Sequence, residues 1–342
     1  MSAVRSRVRI VVLGALLLAA ILFPLVVNNP FLVSVIVTAY VTAIAVYGMD
    51  IMLGRMGQLS LAHAGFFGIG GYSTGILMTT YGLSFWLALP LALAITCSLG
   101  FLVGMAALRT RHDYFAIFTL AVGVMITIVI ERWQGLTGGT DGLIGIPPPT
   151  PIGPLRFESL VSQYYLALFF LILTIYLVWS LVTSLVGRTL FAVHHGEDLA
   201  RAVGIDVGRT HRLAFVISVA FAGLGGALYA VFLGYIGPAM GSVLMTFMML
   251  VYLMLGGVAS LAGPLAGTLA VTVLLQGLHV FEEHQMMFLG PVVVLVMIFF
   301  PRGIAGLAHR VALNWRTRGG DRGPFIRPTP ASASPSDQAE LR

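Results

Sequence analysis

The side chains best suited to meet a polar solute lie in the glycine-rich run GRMGQLSLAHAGFFGIGGY, residues 54–72. Its polar members are Gln58, Ser60 and His63, and the sequence on either side is apolar. Polar groups in a membrane segment face a bundle interior or a watery path rather than lipid. Neighbouring glycines allow a broken helix whose free backbone groups can meet a solute. The pattern therefore predicts a translocation pathway. The alternative is packing, because small residues let helices approach closely and a lone histidine is more often a hydrogen-bonded core residue.

A second polar stretch, GRTLFAVHHGEDLARAVGIDVGRTHR at residues 187–212, separates two apolar segments. Helical spacing of its charges, followed by a glycine, predicts a short amphipathic helix over Glu197–Val203. The stretch is longer than a connector needs, which favours a docking surface over a plain loop. The residues assigned to that surface are Glu197, Asp198, Ala200, Arg201 and Gly204.

Composition places these stretches in an all-α polytopic membrane protein. The chain is 58% hydrophobic and 9% charged, whereas soluble domains carry about 25% charged residues. All 19 basic residues are arginine, so the phosphate-binding loop GxxxxGK[ST] is excluded and ATP cannot be bound by that motif here. The single Cys97 excludes internal disulfides and thiolate metal clusters, and we expect neither a metal nor another cofactor. The arginines form no basic groove, which argues against nucleic acid and for membrane lipid.

About ten membrane-spanning helices are expected at ~20 residues each. Their predicted ranges are 10–27, 31–53, 58–80, 84–108, 114–133, 164–186, 213–236, 243–262, 264–281 and 288–300. The transmembrane region thus covers 10–306, between a cytoplasmic N-terminal segment, 1–9, and a disordered cytoplasmic tail, 307–342.

The arginine distribution gives the orientation. Counting from an inner N-terminus, only Arg132 and Arg156 fall in outer loops, and the other 17 arginines fall at the inner face or in the termini. This asymmetry follows the positive-inside rule and puts both termini in the cytoplasm. The long segment 134–163 then becomes an ordered outer loop that caps the pathway or receives an external partner; its candidate contact residues are Thr140 and Asp141.

A short internal similarity links two glycine-rich stretches. The pattern G-x-x-S-L-A occurs at Gly57–Ala62 and again at Gly257–Ala262. Transporters are often built from two related halves. The match is consistent with an internal two-fold repeat, although six residues in so biased a composition do not establish one.

Four collinear motifs resemble the branched-chain amino acid ABC permease family, LivM-like type. They are GRMGQLSLAHAGFFGIGGY, TGGTDGLIGIP, the stretch from Gly187 to Tyr229 and GGVASLAGPLAGT, and the resemblance extends over most of residues 47–306. Glu197, Ala200 and Gly204 stand at the family's coupling-loop glutamate, alanine and glycine. The chain departs from the family at His194-His195-Gly196, where an arginine and acidic residues are usual, and at Ala62, where glycine is commoner.

The resemblance implies a type II ABC-importer-like permease subunit in the bacterial inner membrane. It implies a second homologous permease, two cytoplasmic ATP-binding subunits and a periplasmic solute-binding protein. It further implies that 187–212 is the coupling loop and that the cargo is a branched-chain or related hydrophobic amino acid. Relatives that carry urea, short amides or sugars keep other small polar solutes open.

Other classes of protein remain as alternatives. An ion-coupled transporter normally has a carboxylate deep in a span, and Asp50 is the candidate here, although its position near Arg55 indicates an interfacial residue. An intramembrane enzyme needs a nucleophile and base or a metal cluster; the spacing of His194, His195 and Glu197 matches no common site. A passive channel would not require the long cytoplasmic loop.

Overall fold

The computed structural model describes residues 14–15, 17–27, 29–107, 112–154 and 156–277. The helices in these ranges are α1 Leu17–Val26, α2 Pro30–Asp50, α3 His63–Thr79, α4 Phe85–Ala107, α5 His112–Arg132, α6 Gln134–Thr137, α7 Leu160–Thr183, α8 Leu185–His195, α9 Glu197–Ala202, α10 Val207–Leu233, α11 Val243–Gly256 and α12 Gly263–Gly277. The strands are β1 Leu143–Ile144 and β2 Tyr235–Ile236. The predicted helical class is thus confirmed, apart from this two-residue ladder.

Five of the helices in the described ranges are long and apolar enough to cross a membrane: α2 with its extension to Arg55, α4, α5, α7 and α10. The apolar helices α1, α11 and α12 are shorter. The predicted tenth span, 288–300, the N-terminal segment 1–9 and the tail 307–342 lie outside the described residues.

Hydrogen-bonding side chains set where several of these helices begin. Asn29 caps α2, with its Oδ1 accepting from the Phe31 N–H at 3.0 Å, and Pro30 occupies the first helical position, where its missing N–H costs nothing. Asp206 caps α10 in the same way, accepting from the Arg209 N–H at 2.8 Å. This cap explains why α10 starts at Val207, six residues before the predicted span 213–236.

The centre of the fold is the crossing of α3 and α10, where glycines bring the two backbones together. A Cβ added to Gly226 of α10 would overlap the Phe67 carbonyl oxygen, and one added to Gly70 of α3 would overlap the Gly223 carbonyl oxygen. Aromatic rings pack beside the crossing, with Phe66 and Phe215 edge to face at 5.7 Å between ring centroids. The small residues of 54–72 beyond the helix break therefore serve close packing.

The segment between α5 and α7 is fixed to the end of α10. Strand β1 pairs antiparallel with β2, Leu143 opposite Ile236, and the Gly145 and Ile146 N–H groups both donate to the Gly234 carbonyl oxygen. Thr137 Oγ1 donates back to the Ile130 carbonyl oxygen at 2.6 Å. The segment therefore has defined structure through its first half, which glycine and proline content alone predicted only as turns.

Candidate functional site

The first helix break lies between α2 and α3. Helix α2 ends in a π-helical turn, Ile51–Arg55, and α3 starts only at His63. Gly57 has a φ of +75°, a conformation that residues with a Cβ rarely adopt. The non-helical segment 57–62 is hydrogen-bonded to a neighbouring helix: the Leu61 N–H donates to Thr119 Oγ1 of α5 at 3.1 Å.

Two predicted pathway residues lie in this break. Gln58 and Ser60 are both buried. Gln58 Oε1 and Ser60 Oγ accept or donate no hydrogen bond among the residues that the structure describes. Leaving a buried polar group without a partner costs ~1–3 kcal/mol, so these two atoms are the ones at the break whose polarity the packing alone does not explain.

His63 differs from the other two predicted pathway residues. Its ring Nε2 lies 2.8 Å from the Ala45 carbonyl oxygen of α2, and because a carbonyl only accepts, that nitrogen is the donor. The side chain is fully buried between α2 and α3. The geometry of His63 is that of a hydrogen-bonded core histidine, the alternative weighed from the sequence, and its role in a pathway stays a prediction.

A second break lies between α11 and α12, and its glycine has the same spacing from the following helix as in the first break. Gly257 has a φ of +110°, as Gly57 also has a positive φ, and α12 starts at Gly263, six residues after its glycine, just as α3 starts six residues after Gly57. The two G-x-x-S-L-A sequences thus share a positive-φ glycine six residues before a helix, but they differ inside the turn, where Ala259 of the second break also has a positive φ, +61°, and Leu59 of the first does not.

Asp50 and Tyr47 of α2 hold the second break in place. The Ala259 N–H donates to Asp50 Oδ1 at 2.6 Å, Tyr47 Oη donates to the Leu261 carbonyl oxygen at 2.6 Å, and Arg55 Nε lies 3.5 Å from Asp50 Oδ2. Asp50 is completely buried within the protein, and its position at the end of α2 is the one expected of a residue near the inner end of its span. The sequence missed this role because the partner loop is 209 residues away.

Helix α8 lies against the first break and shares a cavity with the second. The His194 ring covers Gly57, since a Cβ added there would be 3.0 Å from ring atoms Cε1 and Nδ1. A cavity of about 500 Å³ separates α8 from Arg55 beside the first break and from Ala259 in the second. The polar stretch predicted from the sequence therefore contacts the first helix break directly and faces the second across the cavity.

The predicted short helix in that stretch is present as α9, Glu197–Ala202, and Gly204 follows it with a φ of +86°. The charged side chains of this helix form ion pairs with one another: Arg201 donates to Glu197 Oε2 at 3.1 Å and to Asp198 Oδ1 at 3.2 Å. Glu197 Oε1 also lies 3.5 Å from Nε2 of the buried His211. Glu197 is thus engaged within the chain.

Burial changes the assignment of the docking residues. Ala200 is only 2% exposed, so the expectation that it faces a partner is wrong; it packs against this chain. The exposed side chains of α9 and its C-terminal cap include Leu199, 73% exposed, and Val203, 70% exposed, together with the charged Asp198 and Arg201. Their spacing of four residues places both apolar side chains on one helical face, a signal that attention to the charges overlooked.

The candidate outer contact residues, Thr140 and Asp141, are exposed on the single 3₁₀ turn Gly139–Asp141. The turn directly precedes the β1–β2 ladder. No group of three His, Cys, Asp or Glu side chains that resembles a metal site occurs within the described ranges.

Several helices are long and apolar enough to cross a membrane. Together with the two partly polar helix breaks, after α2 and after α11, they are typical of a multi-pass membrane protein of the permease type. A family model described as the branched-chain amino acid transport system permease component matches residues 31–298. The chain therefore belongs to the branched-chain amino acid transport permease family, and the resemblance drawn from the motifs is confirmed.

Individual relatives agree with this membership. The high-affinity branched-chain amino acid transport system permease protein LivM of Salmonella typhimurium is 31% identical over 315 residues, which cover 85% of this chain and 74% of LivM. LivM of Escherichia coli is 30% identical over the same length. LivH of Salmonella typhimurium, also described as a high-affinity branched-chain amino acid transport system permease protein, is 23% identical over 77% of this chain and 91% of the LivH chain. No solved structure matches the chain.

Proposed function

We propose that this chain is the permease subunit of an ATP-binding cassette importer in a bacterial inner membrane, moving branched-chain or related hydrophobic amino acids. A second homologous permease, two cytoplasmic ATP-binding subunits and a periplasmic solute-binding protein complete the machine. ATP is hydrolysed on the partner subunits, in keeping with a chain that has no lysine for a phosphate-binding loop. The branched-chain amino acid names of the relatives favour that cargo over urea or a short amide.

The observation that carries this proposal is the contact of α8 with the first break. Helix α9 follows α8 after the single residue Gly196, and it offers an exposed apolar face to a partner, formed by Leu199 and Val203. A displacement of α9 by a bound ATPase subunit is thereby transmitted to α8, whose His194 lies on Gly57. Partner binding at α9 and opening at the breaks are in this way mechanically linked.

Gln58 and Ser60 are the proposed pathway residues. Their buried oxygens have hydrogen-bonding capacity that the described part of the chain does not use, which suits transient bonds to the amino or carboxylate group of a passing amino acid. The Asp50 carboxylate, in contrast, already pairs with Arg55 and accepts from the Ala259 N–H. Because both of its oxygens have partners within the chain, it is a poor site for a coupling ion, which argues against the ion-coupled alternative. The shared G-x-x-S-L-A sequence, with a positive-φ glycine in both copies, supports two related halves.

Removing the polar atoms at the break is expected to lower transport without loss of fold. Gln58→Met and Ser60→Ala keep or reduce side-chain size and delete buried polar atoms, a change that is near neutral or stabilising for the fold. If each atom contributes one hydrogen bond to the solute in the limiting step, leucine uptake by cells should fall ~10-fold per change. The amount of assembled complex is measured in parallel by immunoblotting.

Thr174→Val is the matched control. Thr174 Oγ1 of α7 is also buried and without a hydrogen-bond partner among the described residues, but it is remote in sequence from both breaks. Its replacement should leave uptake unchanged. Wild-type uptake by both Gln58→Met and Ser60→Ala, at wild-type abundance, would assign these residues to packing only.

The arginine asymmetry predicts a topology with both termini and α9 in the cytoplasm and the 3₁₀ turn before β1 outside. In a Cys97→Ala background, a cysteine replacing the exposed Thr140 should react with an impermeant maleimide in intact spheroplasts. A cysteine replacing the exposed Arg209 at the start of α10 should react only after lysis. The reverse pattern would overturn the orientation and with it the cytoplasmic coupling surface.

A further inference from the structure

The cavity between α8 and the helix breaks has a lining of two distinct kinds. Four of its side chains are basic or protonatable: Arg55, Arg188, His194 and His195. No carboxylate is among its lining residues. Its other main wall is apolar, formed by Leu181 and Val182 at the end of the membrane-length helix α7 together with Phe191 of α8.

We infer that this cavity binds the headgroup of an anionic phospholipid, with the acyl chains along α7. Arg188 is exposed and forms no ion pair within the part of the chain that the structure describes, so its charge is available to a phosphate. Basic pockets beside membrane helices are typical sites for such headgroups. A free phosphate would satisfy the cationic wall but would leave the apolar wall unused.

The outer surface of α7 supplies the matching path for an acyl chain. Phe169, Leu173 and Leu177 are all exposed, and with Leu181 they recur every four residues, so they form one stripe that leads into the cavity. Leu185, the first residue of α8 and three residues after the lining residue Val182, adds exposed apolar surface at 72% exposure. An amphiphile with a negative head therefore matches the position of both walls.

The location gives such a lipid a consequence for α8. A headgroup held by Arg188 of α8 and by Arg55 next to the first break would join the two elements across the cavity. Arg55 also pairs with Asp50, which holds the second break. The lipid would thus stabilise one position of α8 relative to the breaks.

The test uses the full chain purified in a neutral detergent and native mass spectrometry with defined lipid probes. Phosphatidylglycerol should bind with one molecule per chain, and phosphatidylcholine of equal acyl length should bind at least ~10-fold more weakly, a preference of the size that two basic side chains provide. Arg188→Gln should weaken phosphatidylglycerol binding about fivefold. Arg55 is not used as the variant, because its loss would leave the buried Asp50 unpaired.

Arg209→Gln is the matched control, an exposed arginine outside the cavity, and it should leave phosphatidylglycerol binding unchanged. Equal binding of the two lipids, or equal loss in the Arg188 and Arg209 variants, would overturn the site. Displacement of the lipid by inorganic phosphate at equal concentration would identify a phosphate site and overturn the lipid assignment. In a separate co-purification of the assembled complex without added lipid, loss of the ATP-binding partner from Arg188→Gln would assign the cavity to that protein and overturn the lipid assignment.

Discussion

Gly226→Ala is expected to prevent the permease from reaching its folded state in normal amount. The added methyl group would overlap the Phe67 carbonyl oxygen and approach the Gly71 N atom to 3.1 Å, so α3 and α10 would have to move apart. Overpacking a tight core costs ~1–3 kcal/mol, and here the obstacle is backbone, which cannot adopt another rotamer. We expect a destabilisation at the upper end of that range, measured as reduced monodisperse protein in size-exclusion chromatography and a lower melting temperature.

Gly208→Ala provides the control on the same helix. A Cβ at Gly208 would meet only Asp206 Oδ1, at 3.5 Å, which is ordinary van der Waals contact. That variant should match the wild-type protein in yield and melting temperature. Equal stability of the Gly226 and Gly208 variants would show that the α3–α10 crossing is looser than described.

Leu199→Asp is expected to release the ATP-binding subunits from the membrane. Leu199 is 73% exposed, so the change leaves the permease fold intact. In the assembled importer the same position would lie in an apolar groove of the partner, where an unpaired carboxylate costs several kcal/mol. We expect affinity for the ATP-binding subunit to fall at least ~100-fold, measured by co-purification and by ATPase activity stimulated by loaded binding protein.

Asp198→Ala tests whether charge rather than apolar surface makes that contact. The Asp198 side chain is fully exposed in its ion pair with Arg201, and an exposed pair contributes only ~0–1 kcal/mol. This variant should retain the partner and most of the stimulation. Retention of the partner by Leu199→Asp, or its loss in Asp198→Ala, would contradict docking through the apolar face of α9.

Local features of the site were predictable from the sequence because local chemistry determines them. The polar interruption near Gly57 and the short helix ending before Gly204 both follow from glycine, which adopts positive φ without steric penalty. The Asp206 cap was equally available to sequence reasoning, and attention to it would have placed the start of α10 correctly.

Burial and long-range partners were beyond the sequence. Ala200 matches the family pattern, yet only packing shows that it faces this chain and that Leu199 faces outward. Likewise the sequence shows His63 and Asp50 as polar groups in an apolar segment, and only the structure shows that they bond to the Ala45 carbonyl and the Ala259 N–H. Such pairings depend on how helices cross, which no local pattern encodes.

The central claim is that this chain forms a pathway opened by ATP hydrolysis on a separate subunit. Its most direct test is leucine uptake into proteoliposomes that contain this permease and its partner subunits, with ATP inside and loaded binding protein outside. Uptake should require this chain, the binding protein and hydrolysable ATP together, and an ion gradient should not replace ATP. Leucine entry through this chain alone without ATP, or entry driven by a proton or sodium gradient, would contradict the account.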